Sequence, residues 1–303
     1  MGIRLYKEPK LENPVLVACW PGIGSVGIIA VDVLQKMVGA EELGCIEPWD
    51  FFYPTKVVIR DGELEDLEFP GSKFYFKRTE KKDLMFFIGE EQPVGGGRAY
   101  AEGIKAYQMA NLVLDVAIKF GCRRVYTSGA AVAPIHHTLR SKVWVVPNSE
   151  DLIGEMRGYE NTVLMSDIEG RGGQGNITGL NGLLLGVAKK RGLEAICVMG
   201  EIPLYLQGFP FPYPKASKSV LEVLSAAIGI GIEMEEISDL AERSEREIER
   251  LYERLPSEIK EQLDKLRYVT YAKPIEPGPI TEEDKKKILE DIDRFFKEEP
   301  REG

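Results

Sequence analysis

The stretch that most constrains the fold lies at residues 15–34, where an apolar run leads into glycines and then into a helical pattern. The apolar run VLVACW predicts a buried strand, and Gly22, Gly24 and Gly27 follow it with the spacing GxGxxG. Apolar residues then recur at helical spacing. A strand, a glycine turn and a helix in this order begin a βα unit, which cradles a phosphate in dinucleotide-binding proteins. The stretch therefore predicts an α/β fold, with a nucleotide site as one interpretation of its turn.

The glycine turn has a second interpretation, as a tight packing turn between strand and helix. Pro21 removes a backbone N–H where donors for a phosphate are needed. Glu47 lies about 20 residues past the last glycine, where an acid that binds ribose is expected. Pro48 and Trp49 follow it at once, however, in place of a second helix. These features favour the packing turn, while the nucleotide site stays open as the alternative.

Strands and helices alternate through residues 1–234, which predicts a three-layer αβα core with a mostly parallel sheet, like that of phosphorylases and hydrolases. A hairpin is expected at 56–60 and 63–67, because Asp61-Gly62 between the two runs is a strong hairpin signal. A long helix is predicted over 99–120. Its buried side is expected to comprise six apolar residues: Ile104, Tyr107, Met109, Leu112, Val116 and Ile118.

Four glycine-containing segments, at 22–27, 129, 170–175 and 200, follow predicted strands. In an open α/β sheet, such segments meet at the carboxyl edge, where crevices form. If this crevice takes a nucleotide or nucleoside, the residues expected to bind it are Gly22, Gly24, Gly27, Arg171 and Glu201.

Composition changes at residue 235, which predicts a helical arm over 235–303. From there on, 14 Lys and Arg face 21 Asp and Glu, and glycine is nearly absent. A narrow apolar stripe runs along the first arm helices, a pattern that suits pairing with another helix. The arm and the stiff aromatic loop at 209–214 are expected to contact a partner through Ile288, Ile292, Phe295 and Phe296 and through Phe209, Phe211 and Tyr213.

The overall composition indicates a cytoplasmic protein without nucleic-acid or membrane partners. The net charge of −10 opposes binding to nucleic acid, and no apolar run approaches the ~20 residues of a membrane span. The N-terminus has no apolar segment of the kind that a signal peptide needs. The four cysteines are far apart in sequence, and the two histidines alone do not make a metal site. No metal or cofactor is therefore expected.

No catalytic motif stands out in the chain. It contains neither GxxxxGK[ST] nor GxSxG. His136 and His137 are interpreted as ordinary polar loop residues, since no partner acid is identifiable. Glu90, Glu91 and Glu201 at strand ends are interpreted as making structural hydrogen bonds. The residues favour a non-enzymatic protein, with an enzyme or sensor that binds a nucleotide as the alternative.

Two segments resemble the proteasome assembly chaperone 2 family. They are WPGIGSVG at 20–27 and GNITGLNGLL at 175–184, and the resemblance covers residues 12–232. It implies an archaeal homologue of this chaperone, with a fold like that of nucleoside phosphorylases and hydrolases without their catalytic residues, and it implies self-association. It also implies binding to proteasome α-ring subunits. Members that bind the proteasome commonly end in a hydrophobic residue, Tyr and any residue. Since this chain ends in EPREG, its arm is expected to dock as a helix in a groove.

Overall fold

The structure is a computed structural model that describes residues 2–93, 103–167 and 175–268. Five of the predicted site residues lie outside the described residues. They are Arg171, Ile288, Ile292, Phe295 and Phe296.

Strands and helices alternate through most of the described chain. The strands are β1 (Ile3–Leu5), β2 (Val15–Cys19), β3 (Glu41–Ile46), β4 (Lys56–Arg60), β5 (Glu63–Glu68), β6 (Ser72–Lys77), β7 (Leu84–Gly89), β8 (Arg124–Ala133), β9 (Val143–Pro147), β10 (Thr162–Leu164) and β11 (Glu194–Pro203). The helices are α1 (Val26–Met37), α2 (Gly103–Lys119), α3 (Asp151–Arg157), α4 (Gly179–Lys190), α5 (Pro214–Ile228), α6 (Glu235–Glu253) and α7 (Ser257–Asp264).

Within the described ranges, nine strands form one sheet in the order β1-β3-β6-β7-β2-β8-β11-β9-β10. The four central strands, β7, β2, β8 and β11, are parallel to one another. Pairing becomes antiparallel toward both margins, at β11–β9 on one side and from β7 through β6 and β3 to β1 on the other. The predicted α/β fold is confirmed, with its parallel strands at the centre of a mixed sheet.

The sheet is covered on both faces. Val15, Val17 and Cys19 of β2 pack in one apolar cluster with α1 and α5. Leu16 and Ala18 point the other way, into a cluster with α2 and α4. Strand β2 is apolar at every position because neither of its faces meets water. This is the three-layer arrangement that the alternating pattern predicts.

The hairpin predicted around Asp61-Gly62 is confirmed, and it forms a separate two-stranded sheet. Strands β4 and β5 are antiparallel and hydrogen-bonded to each other. Asp61 and Gly62 have φ values of 53° and 86°, the positive angles that a two-residue hairpin turn requires at both positions.

Two sequence interpretations differ from the structure. Strands β8 and β11 run on through Gly129 and Gly200, which therefore lie within strands instead of following them. A Cβ on Gly200 would lie 2.7 Å from the carbonyl oxygen of Ala216, so the glycine lets α5 approach the sheet. On α2, Met109 and Val116 are buried as expected, but Ile104, Tyr107 and Ile118 are exposed. The buried side of α2 uses small alanines, which bring the helix close to the sheet: Ala106, Ala110 and Ala117.

The first arm helix, α6, packs against α5 of the core. Ile237 and Ala241 are buried in this contact, and Ile248 packs on the same apolar cluster. The partner helix expected for the narrow stripe is thus a helix of the same chain. The division into a core of 1–234 and an arm of 235–303 stays a prediction. None of the described helices is long and apolar enough to cross a membrane.

Candidate functional site

The glycine turn after β2 is built for close packing. Gly24 has a φ of 59°, and a Cβ there would lie 2.6 Å from Ile202 Cδ1. A Cβ on Gly27 would lie 2.6 Å from the carbonyl oxygen of Ser128 in β8, closer than real side chains come. The carbonyl oxygen of Gly24 accepts a hydrogen bond from the backbone N–H of Tyr213 at 2.7 Å. Gly24 and Gly27 therefore place α1 and the aromatic loop against the sheet.

The two segments that carry the family resemblance meet in space. The Asn181 carboxamide accepts from the Trp20 N–H at 3.3 Å and donates to the Trp20 carbonyl at 3.4 Å. Gln92 makes a second bridge between the segments, since it donates to the Pro21 carbonyl at 2.6 Å and accepts from the Leu180 N–H at 3.0 Å. The end of β2 is thus hydrogen-bonded by one side chain from α4 and one from the loop after β7. Sequence reasoning missed Gln92, whose only signal is its place just after β7, the parallel neighbour of β2.

A cavity of about 110 Å³ lies beside these contacts at the carboxyl edge of the sheet; we call it the edge crevice. Its described lining includes Gly22, Gln92, Gly129, Asn176 and Asn181, and none of the described lining residues is charged. Its volume is well below the roughly 300–1,000 Å³ of ordinary ligand pockets. Of the predicted nucleotide-binding residues within the described ranges, only Gly22 lines it.

Glu201 lies away from the edge crevice. It is buried in β11, where its carboxylate accepts hydrogen bonds from Trp144 Nε1 at 2.5 Å and from the Lys142 backbone N–H at 3.0 Å. Cys19 and Cys197 are buried in strands β2 and β11. Burial raises the pKa of Cys197 to about 11 and that of Cys19 further still, so both thiols are protonated at neutral pH. Protonated thiols are poor nucleophiles.

The two histidines join the core to the arm. Both are buried, and their rings are 4.2 Å apart. His137 Nε2 lies 2.9 Å from a carboxylate oxygen of Glu249 on α6, and its Nδ1 lies 2.7 Å from the Tyr205 hydroxyl. The ring of Tyr252, also on α6, contacts both imidazoles at centroid distances of 5.4 and 5.0 Å. The residues interpreted as ordinary polar loop residues are therefore the centre of the core–arm junction.

Further polar contacts hold the arm at the same place. His136 Nδ1 lies 2.8 Å from the Thr138 hydroxyl, which accepts from Arg267 at 3.0 Å. Lys215 donates to the His137 carbonyl at 2.8 Å and pairs with Glu245 of α6 at 2.6 Å. Burial lowers the pKa of His136 to about 4, with His137 and Arg267 acting in the same direction. His136 is therefore neutral at neutral pH.

A second cavity, of about 240 Å³, lies between the aromatic loop and the arm; we call it the arm cavity. One wall comes from the 202–213 segment, and the other comes from Ile248, Leu251 and Leu255 with Ile259 and Leu263 of α7. The side chains that line it are almost all apolar. The stripe read from the arm sequence thus forms one wall of a cavity within its own chain.

The three aromatic residues predicted to contact a partner have different environments. Phe209 and Phe211 are exposed, with ring centroids 6.1 Å apart, and both line the arm cavity. Tyr213 is buried, and burial raises the pKa of its phenol. Its backbone N–H bonds to the glycine turn, so Tyr213 anchors the loop that presents the two phenylalanines.

Fold and site together define a class: a three-layer α/β protein with a glycine turn used for packing and a helical arm anchored on buried histidines. The chain belongs to the PAC2 family, whose model matches residues 16–252. The resemblance inferred from 20–27 and 175–184 is therefore confirmed.

The relatives agree with this membership. An uncharacterized protein of Methanocaldococcus jannaschii is 31% identical over 245 residues, which cover 80% of this chain and 84% of that protein. Among solved structures, the archaeal proteasome activator PbaB of Pyrococcus furiosus has a TM-score of 0.68 at 25% identity, covering 82% of this chain and 98% of PbaB. PbaA of the same organism, an archaeal homologue of proteasome-assembly chaperone, has a TM-score of 0.59 at 22% identity, covering 88% and 100%.

Proposed function

We propose that this chain is a non-enzymatic, self-associating protein of the proteasome-assembly-chaperone type that binds proteasome α subunits or a related protein. Membership of the PAC2 family and the similarity to an archaeal proteasome activator support the choice of partner class. The observation that carries the proposal is the core–arm junction. It fixes α6 and α7 on the core and leaves Phe209 and Phe211 exposed beside an apolar cavity.

The partner surface in this proposal has two parts. The first is the aromatic loop with the arm cavity. The second is the segment after Tyr268, in which Ile288, Ile292, Phe295 and Phe296 recur at helical spacing. An amphipathic helix that docks in a groove of a partner would use such a set of apolar residues. Arg267 donates a hydrogen bond to the Thr138 hydroxyl at 3.0 Å, so the described chain lies against the core close to the point where this segment begins.

Pull-down with purified proteasome α subunits tests the proposal. The full chain is compared with a chain cut after Tyr268, which keeps α6 and α7 in place. A cut after Ile232 is a poorer test, since it removes the helix that covers α5. We expect the cut after Tyr268 to weaken capture, and Phe295→Asp with Phe296→Asp in the full chain to weaken it as well.

Two further variants complete the pull-down. Phe211→Asp tests the aromatic loop, and Tyr53→Asp, at an exposed aromatic residue elsewhere, is the matched control. Capture of every variant as strong as that of the full chain would contradict the proposed surface. No capture of the full chain would contradict the proposed partner.

The alternative, a nucleotide- or nucleoside-binding enzyme or sensor, has less support. The edge crevice is small, and Gly24 and Gly27 are used in packing. A thermal-shift screen with nucleotides tests it, since a ligand at 100 times its dissociation constant stabilises a protein by roughly 2.7 kcal/mol. A shift that Gly22→Val abolishes would revive this alternative.

A further inference from the structure

Among the residues that the structure describes, nothing covers one apolar face of the hairpin formed by β4 and β5. Val57 lies opposite Leu67 and Ile59 opposite Leu64 in the register of the two strands, so the four side chains share one face. Ile59 and Leu64 are 68% and 67% exposed, Val57 is 54% exposed, and Leu67 is half-buried. A two-stranded hairpin alone is at best marginally stable in water, and burial of an apolar face is what stabilises one. This face therefore calls for a covering surface.

A second apolar face that no described residue covers lies on the layer of α2 and α4. Ile104 and Tyr107 stand out from α2 as a ridge, and Ile104 is 68% exposed. Beside them is an open groove of about 490 Å³, whose floor includes Gly182 and Gly186 of α4. A Cβ on Gly186 would meet no atom within 4 Å, so the packing of this chain does not require glycine at that position. Glycine in a helix costs stability relative to alanine.

The hairpin and the helix layer carry opposite net charge, although Glu63, Asp66 and Glu68 lie on the face of the hairpin opposite the apolar one. Between residues 56 and 68, the hairpin holds two basic and five acidic residues, a net charge of −3. Helices α2 and α4 together hold four lysines and one aspartate, a net charge of +3, although the whole chain is at −10. Lys189 and Lys190 end α4, and Lys105 and Lys119 lie near the two ends of α2. Opposite net charge on the two elements favours their approach to each other.

We propose that the apolar face of the β4–β5 hairpin docks on the α2–α4 face of a second copy of this chain. The proposal rests on the self-association put forward above and says which surfaces make it. The hairpin fills the groove over Gly186 and packs against Tyr107 and Ile104, while its net negative charge attracts the lysines across the thickness of the hairpin. Because the two faces differ, the contact is head-to-tail, and repetition builds a ring or an open chain.

The experiment measures the mass of the full chain in solution by size-exclusion chromatography with light scattering over a range of concentrations. We expect an oligomer for the natural sequence. Ile59→Asp on the hairpin and Tyr107→Asp on α2 should each raise the dissociation constant by at least about tenfold. Leu204→Asp, at an exposed apolar residue on another face, is the matched control and should leave it unchanged. Circular dichroism checks that each variant is folded.

Mixing the two variants gives the sharpest readout of a head-to-tail contact. The Ile59→Asp chain keeps a natural α2–α4 face, and the Tyr107→Asp chain keeps a natural hairpin. Together they can form one natural interface, so the mixture should give a particle of twice the chain mass while each variant alone stays monomeric. A symmetric contact between two identical faces predicts no such particle, and that result would overturn the proposal.

Charge reversal tests the same interface without touching apolar residues. Glu63→Lys with Asp66→Lys, and Lys189→Glu with Lys190→Glu, should each weaken the oligomer, and the combination of all four should restore it. If the oligomer is indifferent to all these changes, this interface is overturned while self-association stands. If the natural chain is monomeric throughout, both fail. If it is monomeric and Ile59→Asp weakens capture by α subunits, the hairpin face belongs to that partner instead.

Discussion

The glycine turn contributes to both cavities, since Gly22 lines the edge crevice and Gly24 lines the arm cavity. The two cavities nevertheless have different kinds of lining. The edge crevice lies beside a glycine motif that resembles a ligand site. The polar side chains next to it, however, already hydrogen-bond to backbone groups of the protein itself. The arm cavity has apolar walls. One of them is the apolar stripe of the arm helices, whose other residues are mostly charged. A motif can thus mark a structural joint, while a polar helix can supply the wall of an apolar cavity.

The largest expected effect on stability comes from a substitution in the glycine turn beside the edge crevice. Gly27→Val places side-chain atoms against the backbone of Ser128 and the sulfur of Cys19, at Cβ distances of 2.6 and 2.9 Å. Because backbone cannot move aside as a flexible side chain can, we expect a loss of more than about 3 kcal/mol in the free energy of unfolding. Urea denaturation measures it. Gly22→Ala, where a Cβ meets nothing within 4 Å, is the control, and an equal loss there would contradict the packing role of Gly27.

The next effect concerns the joint between the two family segments. Asn181→Leu removes the side-chain partner of the Trp20 N–H and leaves the Trp20 carbonyl with only the weak Cys19 thiol donor at 3.3 Å, and each unsatisfied buried group costs about 1–3 kcal/mol. We expect a loss of about 3 kcal/mol in thermal or urea unfolding, and a smaller one for Asn181→Asp, which keeps the acceptor. Asn176→Ala, at an exposed site of the same crevice, should be nearly neutral. If all three variants are equally stable, the joint is not what holds the end of β2.

The arm side of the comparison should depend on pH. His136 has a pKa of about 4 in the folded chain against an ordinary value near 6.5, so protons bind preferentially to the unfolded chain. The stability that neutral His136 contributes is complete above pH 6.5 and is lost as the pH falls toward 4. Between pH 7 and pH 5, this amounts to about 2 kcal/mol.

The control for this pH dependence is His136→Gln, which cannot titrate. Urea denaturation at several pH values compares the two chains, since other groups titrate alike in both. The natural chain should lose more stability than the variant between pH 7 and pH 5. If the free energy of unfolding changes with pH equally in the two chains, His136 is not held neutral at the junction.

The smallest effect is expected at the rim of the junction. Glu245 pairs with Lys215 at 2.6 Å, but its side chain is well exposed to solvent. Glu245→Gln should cost less than about 1 kcal/mol, since solvent screens such pairs. A markedly larger loss in urea denaturation would mean that charge, more than the buried rings of His136, His137 and Tyr252, holds the arm.

The sequence predicts local features of this fold well. Strand β2 and the β4–β5 hairpin follow from a continuous apolar run and from Asp61-Gly62, both of which act over a few residues. The sequence does not predict which side of α2 is exposed. Small alanines, which give a weak apolar signal, face the sheet and let the helix approach it closely. Ile104 and Tyr107 therefore lie on the outer side. The role of His137 depends on Glu249, 112 residues further along the chain, and no local pattern announces such a contact.

The bond between Asn181 and Trp20 also affects how the chain is made. The two residues are 161 positions apart, so at about 5–20 residues per second a ribosome adds Asn181 on the order of ten seconds after Trp20. Until then the end of β2 lacks a partner, and the apolar strand also waits for β7 and β8 on its two sides. The nascent N-terminal third contains β7 but not β8, so it exposes an apolar strand with one unpaired edge, and we expect it to need protection from aggregation during synthesis.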